Sequence, residues 1–264
     1  MKDSPRVGGN PFRNGVLASL PPSDLERIRP KLQMVELEAR QILCRPQAPI
    51  RAVYFPESGI VSLVARLERG GSIEIGIIGR EGMVGLPLAF GAESSPDEAL
   101  VQVTCSALRM EADDFQRELA RSPALLPRLL RFGCALYAQV AQTAACNGRH
   151  AIEQRLTRWL LMAHDRLDTD DLPLTQELLA TMLGVRRASV TAAIGLLRRV
   201  GAIDIVRGHV TILDRPALER LSCECYATVR QEYRRLQPDP AVAVRHDRAE
   251  TADLLLRHPP ALSR

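Results

Sequence analysis

Hydrophobic positions change their spacing twice along this chain. From about Gln33, short apolar segments alternate with turn residues: Val53-Tyr54-Phe55, then residues 60–64, 73–78, 100–103 and 108–110. Between them stand Pro56-Glu57-Ser58-Gly59, Arg69-Gly70-Gly71, Gly79-Arg80-Glu81-Gly82 and Ser94-Ser95-Pro96-Asp97. Short strands with regular turn signals predict an antiparallel sandwich or barrel. Upstream, Pro21-Pro22-Ser23-Asp24 reads as a helix start capped by Ser or Asp. From about Pro123 the spacing becomes helical. Leu126, Leu130, Gly133, Tyr137, Val140 and Ala144 recur in alternating steps of four and three, the pattern of a coiled-coil seam. A helix packed on its own domain and a seam between two copies both fit this pattern. Gly133 and Ala144 would let two backbones approach closely. Asn147-Gly148 is expected to end the helix. A second amphipathic helix follows, with Ile152, Leu156, Trp159, Leu160 and Ala163 on one face, and then a polar loop over residues 168–171.

The next segment carries the most information. Thr175, after Pro173, marks a helix start with Glu177 in its first turn. That helix stops at Gly184, which can take the left-handed conformation of a tight interhelix turn. Leu179, Leu183, Val185, Val190 and Ala193 supply apolar contacts between two helices, with the small Ala180 at their crossing. A short helix, a Gly turn and a second helix form the helix-turn-helix that places its second helix in a DNA groove. The second helix opens with Arg186-Arg187 and carries Ser189 and Thr191 near its start, the positions offered to bases and phosphates. Thr175 and Gln176 are expected to meet phosphate. Residues 203–206 and 210–213, joined by Arg207-Gly208-His209, predict a basic hairpin. Such a wing could bring Arg207 and His209 to DNA, although a lone His is also readily a bystander.

Charge sharpens this picture. The chain of 264 residues has a net charge of only +4, but Gly184–Val210 holds five Arg against the single acid Asp204. The positive field is therefore local. Apolar residues at 46% and charged residues at 25% are ordinary for a folded chain, while aromatics at 4% leave the core to aliphatic side chains. No apolar run reaches the roughly 18 residues of a membrane span, and no secretory signal is read at the N-terminus, so the cytoplasm is the expected compartment. Six cysteines contain no CxxC pair. Cys223-Glu224-Cys225 reads either as thiols packed as small hydrophobes or as a redox or metal site. One intervening residue is unusual for a zinc knuckle, and no second Cys/His pair has matching spacing, so no metal is expected.

The order of these segments resembles the Crp/Fnr superfamily of bacterial transcription regulators over residues 15–236. The resemblance is carried by Tyr54-Phe55-Pro56-Glu57-Ser58-Gly59, by Gly76-Ile77-Ile78-Gly79-Arg80-Glu81-Gly82-Met83-Val84-Gly85, by Asn147-Gly148-Arg149-His150, and by Leu183-Gly184-Val185-Arg186-Arg187-Ala188-Ser189-Val190-Thr191. It implies an α+β fold: a cyclic-nucleotide-binding-like β-roll over 15–122, a dimerisation helix over 123–147 and a winged helix-turn-helix over 148–236. Residues 237–264 would be a disordered tail. It also implies a homodimer on near-palindromic double-stranded DNA, with RNA polymerase as a further partner, and an effector pocket around Gly82, Gly85, Leu86, Ser94 and Ser95.

Departures from the family pattern matter equally. Well-known members carry Glu after the Gly of the phosphate cassette and an Arg later in it. Here Leu86 follows Gly85, Ser95 falls near the Arg position, and no Arg lies between Arg80 and Arg109. A buried phosphate would meet Glu93, Asp97 and Glu98 instead, at a cost of several kcal/mol. Binding of cAMP in the usual mode is therefore not expected, and the effector is unassigned. The region around Leu86 could equally be a filled core with no effector. The first cysteine is Cys44, so the Fnr-type N-terminal cluster is missing. Ala188 and Ala192 replace operator-reading residues of well-known members, which points to a different operator. Arg186 stands where many members have a capping Ser.

An enzyme is not expected. The chain has no Gly-x-Ser-x-Gly, no Gly-x-x-x-x-Gly-Lys-Ser/Thr and no His-Glu-x-x-His. Asp113-Asp114 and Asp170-Asp171 suit helix-start and loop roles. The competing reading is a ligand- or redox-sensing module that acts through protein contacts without selecting DNA.

Overall fold

The computed structural model describes residues 12–68 and 71–236. The expected loose N-terminus, the tail over 237–264, and Arg69-Gly70 of one turn lie outside the described residues.

Seven strands build the first unit. β7 (Cys105–Glu111) lies between β1 (Gln33–Leu37) and β3 (Ala52–Pro56) in one antiparallel sheet. The other sheet has the order β2 (Ile42–Cys44), β6 (Glu98–Val103), β4 (Ile60–Arg66), β5 (Ser72–Ile78), again antiparallel. The five strands expected from the apolar segments are all present. β1 is less visible in sequence because it is an outer strand with only Leu37 buried, which blurs the two-residue alternation. Val53, Phe55, Val61, Val101, Leu108 and Met110 form the core between the sheets.

Helices close the roll. α1 (Gly15–Ala18) is capped by the buried Asn14, whose side chain accepts from the N–H groups of Val16 and Leu17. α2 (Pro22–Ile28) starts at Pro21 without a side-chain cap. The expected Ser or Asp cap is therefore not there. Asp24 lies inside the first turn and accepts from Arg27 at 2.9 Å and from the Ser122 hydroxyl. α3 (Ala112–Arg121) has Asp113 and Asp114 in its first turn, where acids favour a helix dipole.

α4 (Leu125–Arg149) is the long helix. It buries Leu125, Leu129, Phe132, Leu136, Gln139, Thr143 and Cys146, a four-three stripe displaced by one residue from the expected seam. α4 also runs through Asn147-Gly148 to end at His150, whose N–H meets the Cys146 carbonyl at 3.0 Å. A helical Gly costs only about 1 kcal/mol, and Cys146 anchors that last turn in the core.

The second unit begins with α5 (Ile152–His164), which buries its apolar face and most of the opposite one. α6 (Gln176–Leu183) and α7 (Arg187–Arg199) follow, after the two-residue strand β8 (Asp171–Leu172) at the end of the predicted polar loop. β9 (Ile203–Val206) and β10 (His209–Ile212) form the hairpin, with β10 in the centre of a three-stranded sheet beside β8. α8 (Arg215–Leu221) and α9 (Glu224–Arg234) close the unit, and α9 returns to pack along α4. Trp159, Leu160, Leu179, Val190, Leu197 and Val210 share one core with Ile60 and Ile77 of the roll, so the two units meet over a continuous apolar contact. Among the described residues no helix is long and apolar enough to cross a membrane.

Candidate nucleic-acid interface

Thr175 caps α6, its hydroxyl accepting from the Leu178 N–H at 3.2 Å. Gly184 then turns the chain at φ +62°, and a Cβ there would lie 2.8 Å from Ile73 of β5. The turn thus requires glycine twice, for its left-handed backbone and for its close approach to the roll. α7 starts at Arg186 with no side-chain cap. Its leading N–H groups therefore lack a side-chain acceptor, the condition in which a helix start attracts phosphate.

Arg186, Arg187 and Thr191 are exposed and Ser189 is half-buried. Thr191 donates to Gln176 at 2.8 Å, which ties the reading helix to the start of α6. Arg198 is held by Asp204 at 3.0 Å, whereas Arg186, Arg187, Arg199 and Arg207 make no salt bridge among the described residues. At the wing tip Arg207 and Gly208 both have positive φ, +48° and +87°, as a two-residue hairpin turn with matching twist requires. His209 sits in β10 and contacts Asp171 at 2.8 Å, so its ring already has a protein partner. The wing turn adjoins Thr175, whose methyl would lie 3.3 Å from a Cβ at Gly208. The sequence-predicted residues of α6, α7 and the wing are thus brought to one end of the second unit.

A cavity of about 260 Å³ lies between the second sheet and α4. Gly85, Leu86 and Ser95 line it, together with Ile50, Leu63, Met83, Leu136 and the polar groups of Cys44 and Asp97. Gly82 and Ser94 do not line it. A Cβ at Gly82 would fall 2.1 Å from the Phe132 ring, so Gly82 admits α4 against the roll. Ser94 instead bridges to Pro49. The space beside Leu86 is open rather than filled. No basic side chain lines it. Burial raises the Asp97 carboxyl above its ordinary range and pushes the Cys44 thiol up to about 11.

The seam residues take two roles. Leu126, Leu130 and Tyr137 are 36%, 46% and 75% exposed, an apolar stripe open to solvent. Gly133, Tyr137 and Val140 also line the cavity. A Cβ at Gly133 would lie 2.7 Å from Phe90, so this glycine also admits a contact within the chain.

The structure also gathers residues that spacing did not connect. Cys223 and Cys225 lie beside Cys146 and His150 at the end of α4, with all four candidate ligand atoms within 4.8 Å of one another. Sequence spacing did not connect this second Cys/His pair, because it lies on another helix. The partner pair has helical i, i+4 spacing and lies 77 residues away in sequence.

Residues 34–122 match the profile of the cyclic nucleotide-binding domain, and residues 154–221 that of the Crp-like helix-turn-helix domain. The chain belongs to the Crp/Fnr family of transcription regulators. The nitrogen fixation regulation protein FixK of Bradyrhizobium diazoefficiens is 28% identical over 115 residues. That match covers 41% of this chain and 48% of the relative, so it spans about half of the relative's length. The fold is similar to that of FixK2 from Bradyrhizobium japonicum, with a TM-score of 0.63 at 15% identity, covering 73% of this chain and 98% of that one. It is also similar to a Crp/Fnr-family regulator from Eubacterium rectale, with a TM-score of 0.61 at 17% identity, covering 76% and 94%.

Proposed function

We propose that this chain acts in the cytoplasm as a homodimer that reads a near-palindromic DNA site and thereby regulates transcription. The observation that carries the reading is the exposed Arg186-Arg187 at the uncapped start of α7, with Arg207 on the wing beside it, all three without a salt bridge among the described residues. Arg187 can contact two guanine acceptors at once. Arg186, Thr175 and Arg207 suit phosphate, and Ser189 and Thr191 suit base edges or the adjacent backbone. His209 contributes only if DNA displaces Asp171. The solvent-open stripe of α4 is the surface on which two copies would pair, presenting two reading helices about 34 Å apart. RNA polymerase is the further partner such a regulator would need.

The apolar cavity suits a small, mostly apolar effector. A cyclic nucleotide phosphate would meet Asp97 there and no cation.

The test is salt-titrated binding to genomic DNA fragments followed by a mobility-shift series on the selected site. Log affinity should fall linearly with log salt. Arg187→Ala should cost about 1–3 kcal/mol and relax preference at one base pair. Duplex binding with no preferred sequence would support the module that acts through protein contacts instead.

A further inference from the structure

Four soft ligands converge where α9 meets the end of α4. Cys146 and His150 lie one helical turn apart on α4, Cys223 stands immediately before α9, and Cys225 is in its first turn. The Sγ atoms of Cys146 and Cys223 are 3.6 Å apart, and Cys225 Sγ is 3.4 Å from His150 Nδ1. A tetrahedral ion with metal–sulfur bonds of about 2.3 Å and metal–nitrogen bonds of about 2.0 Å has ligand edges of about 3.8 Å and about 3.5 Å. The observed edges are already close to those of one four-coordinate ion. A polynuclear iron–sulfur core would hold its thiolates further apart. A Cys146–Cys223 disulfide would use two of the four groups and leave Cys225 and His150 unexplained.

The surroundings support the same reading. His150 Nε2 lies 3.3 Å from Glu224, so the carboxylate can hold that ring N–H and turn the lone pair of Nδ1 toward the thiols. Gln142 donates to Cys225 Sγ at 3.1 Å. All three cysteines are buried. One divalent ion on three thiolates and a neutral imidazole carries a net charge of −1. Arg158 is 3% exposed, makes no salt bridge among the described residues, and donates at 3.1 Å to Thr143, one turn before Cys146 on α4. A buried guanidinium without a bonded carboxylate is the counter-charge such a site needs.

We propose that Cys146, His150, Cys223 and Cys225 bind one Zn²⁺ ion that clamps the start of α9 to the end of α4. Three thiolates and one imidazole in a closed tetrahedron select zinc over hard cations. The thiols release their protons to solvent as the metal binds. The site joins the second unit to the long helix and uses no residue of α7.

Metal analysis of the full chain, purified anaerobically with reductant, should find one zinc per chain. Replacement by Co²⁺ should give the visible bands of a tetrahedral thiolate site. Cys225→Ser should lose the metal, whereas Cys134→Ser, at an exposed position of α4, should keep it. Glu224→Gln, which only releases the imidazole, should lower zinc affinity about 10–100-fold in chelator competition with an unchanged far-ultraviolet spectrum. Reduced wild-type protein that contains no zinc and takes up no cobalt overturns the proposal. So does an iron–sulfur chromophore, or equal metal loss in Cys134→Ser and Cys225→Ser. DNA binding is read separately, so its failure leaves this result intact.

Discussion

Glu74 shows how far a residue's role can depart from its local sequence. It lies between Ile73 and Ile75 on β5, where alternation alone would put an acid in water. Instead it is buried, accepting from the Trp159 indole and from Ser62 at 2.6 Å. Burial raises its carboxyl from 4.5 to about 7, against the opposing pull of Ser62, Trp159, Arg158 and Arg166. The folded chain therefore holds a proton that the unfolded chain has released, and this group's contribution to stability falls as pH rises from about 4.5 to about 7. Glu74→Gln keeps the acceptor for Trp159 and offers an amide to Ser62. Urea unfolding should show the variant more stable than wild type at pH 8, by at most about 3 kcal/mol, and nearly equal at pH 4. An unchanged pH dependence would remove Glu74 from this role. The partner that buries Glu74 is 85 residues away, which is why no local pattern announces it.

At the scale of elements, periodicity serves well where one face of a segment decides its fate. The turn at Gly184, the reading helix and the wing were legible because caps, glycine and alternating apolar residues agreed there. α4 was legible only in part. Its exposed stripe stands out in sequence, but the parallel buried stripe one residue away belongs to packing on the roll. The tetrad was illegible because two pairs distant in sequence meet only when α9 docks on α4. The Gly184 turn also makes a testable contact with β5. Gly184→Ala should cost about 1–2 kcal/mol from left-handed strain, with an added penalty from Ile73 Cδ1. Ile73→Val removes that methyl, so thermal unfolding of the double variant should recover part of the loss. Strict additivity would mean that the turn and β5 are independent.

For the whole molecule, pairing of two copies is the decisive expectation. Leu130→Glu places a carboxylate on the exposed stripe without touching the core. Like charges facing each other across the seam should cost several kcal/mol. Sedimentation should therefore report a monomer, and operator affinity should fall although each reading helix is intact. A dimer that survives this change would place the seam elsewhere.

Tyr137 and Val140 give the cavity a second consequence. They form part of its wall, and they lie on the flank of α4 that would meet the other copy. A small molecule that favours one setting of this flank then alters self-association, and self-association alters its affinity by the same factor. Titrations at nanomolar and micromolar chain should give different midpoints for one compound. The abundance of the chain would then itself become a signal, weighed together with any compound that fills the cavity.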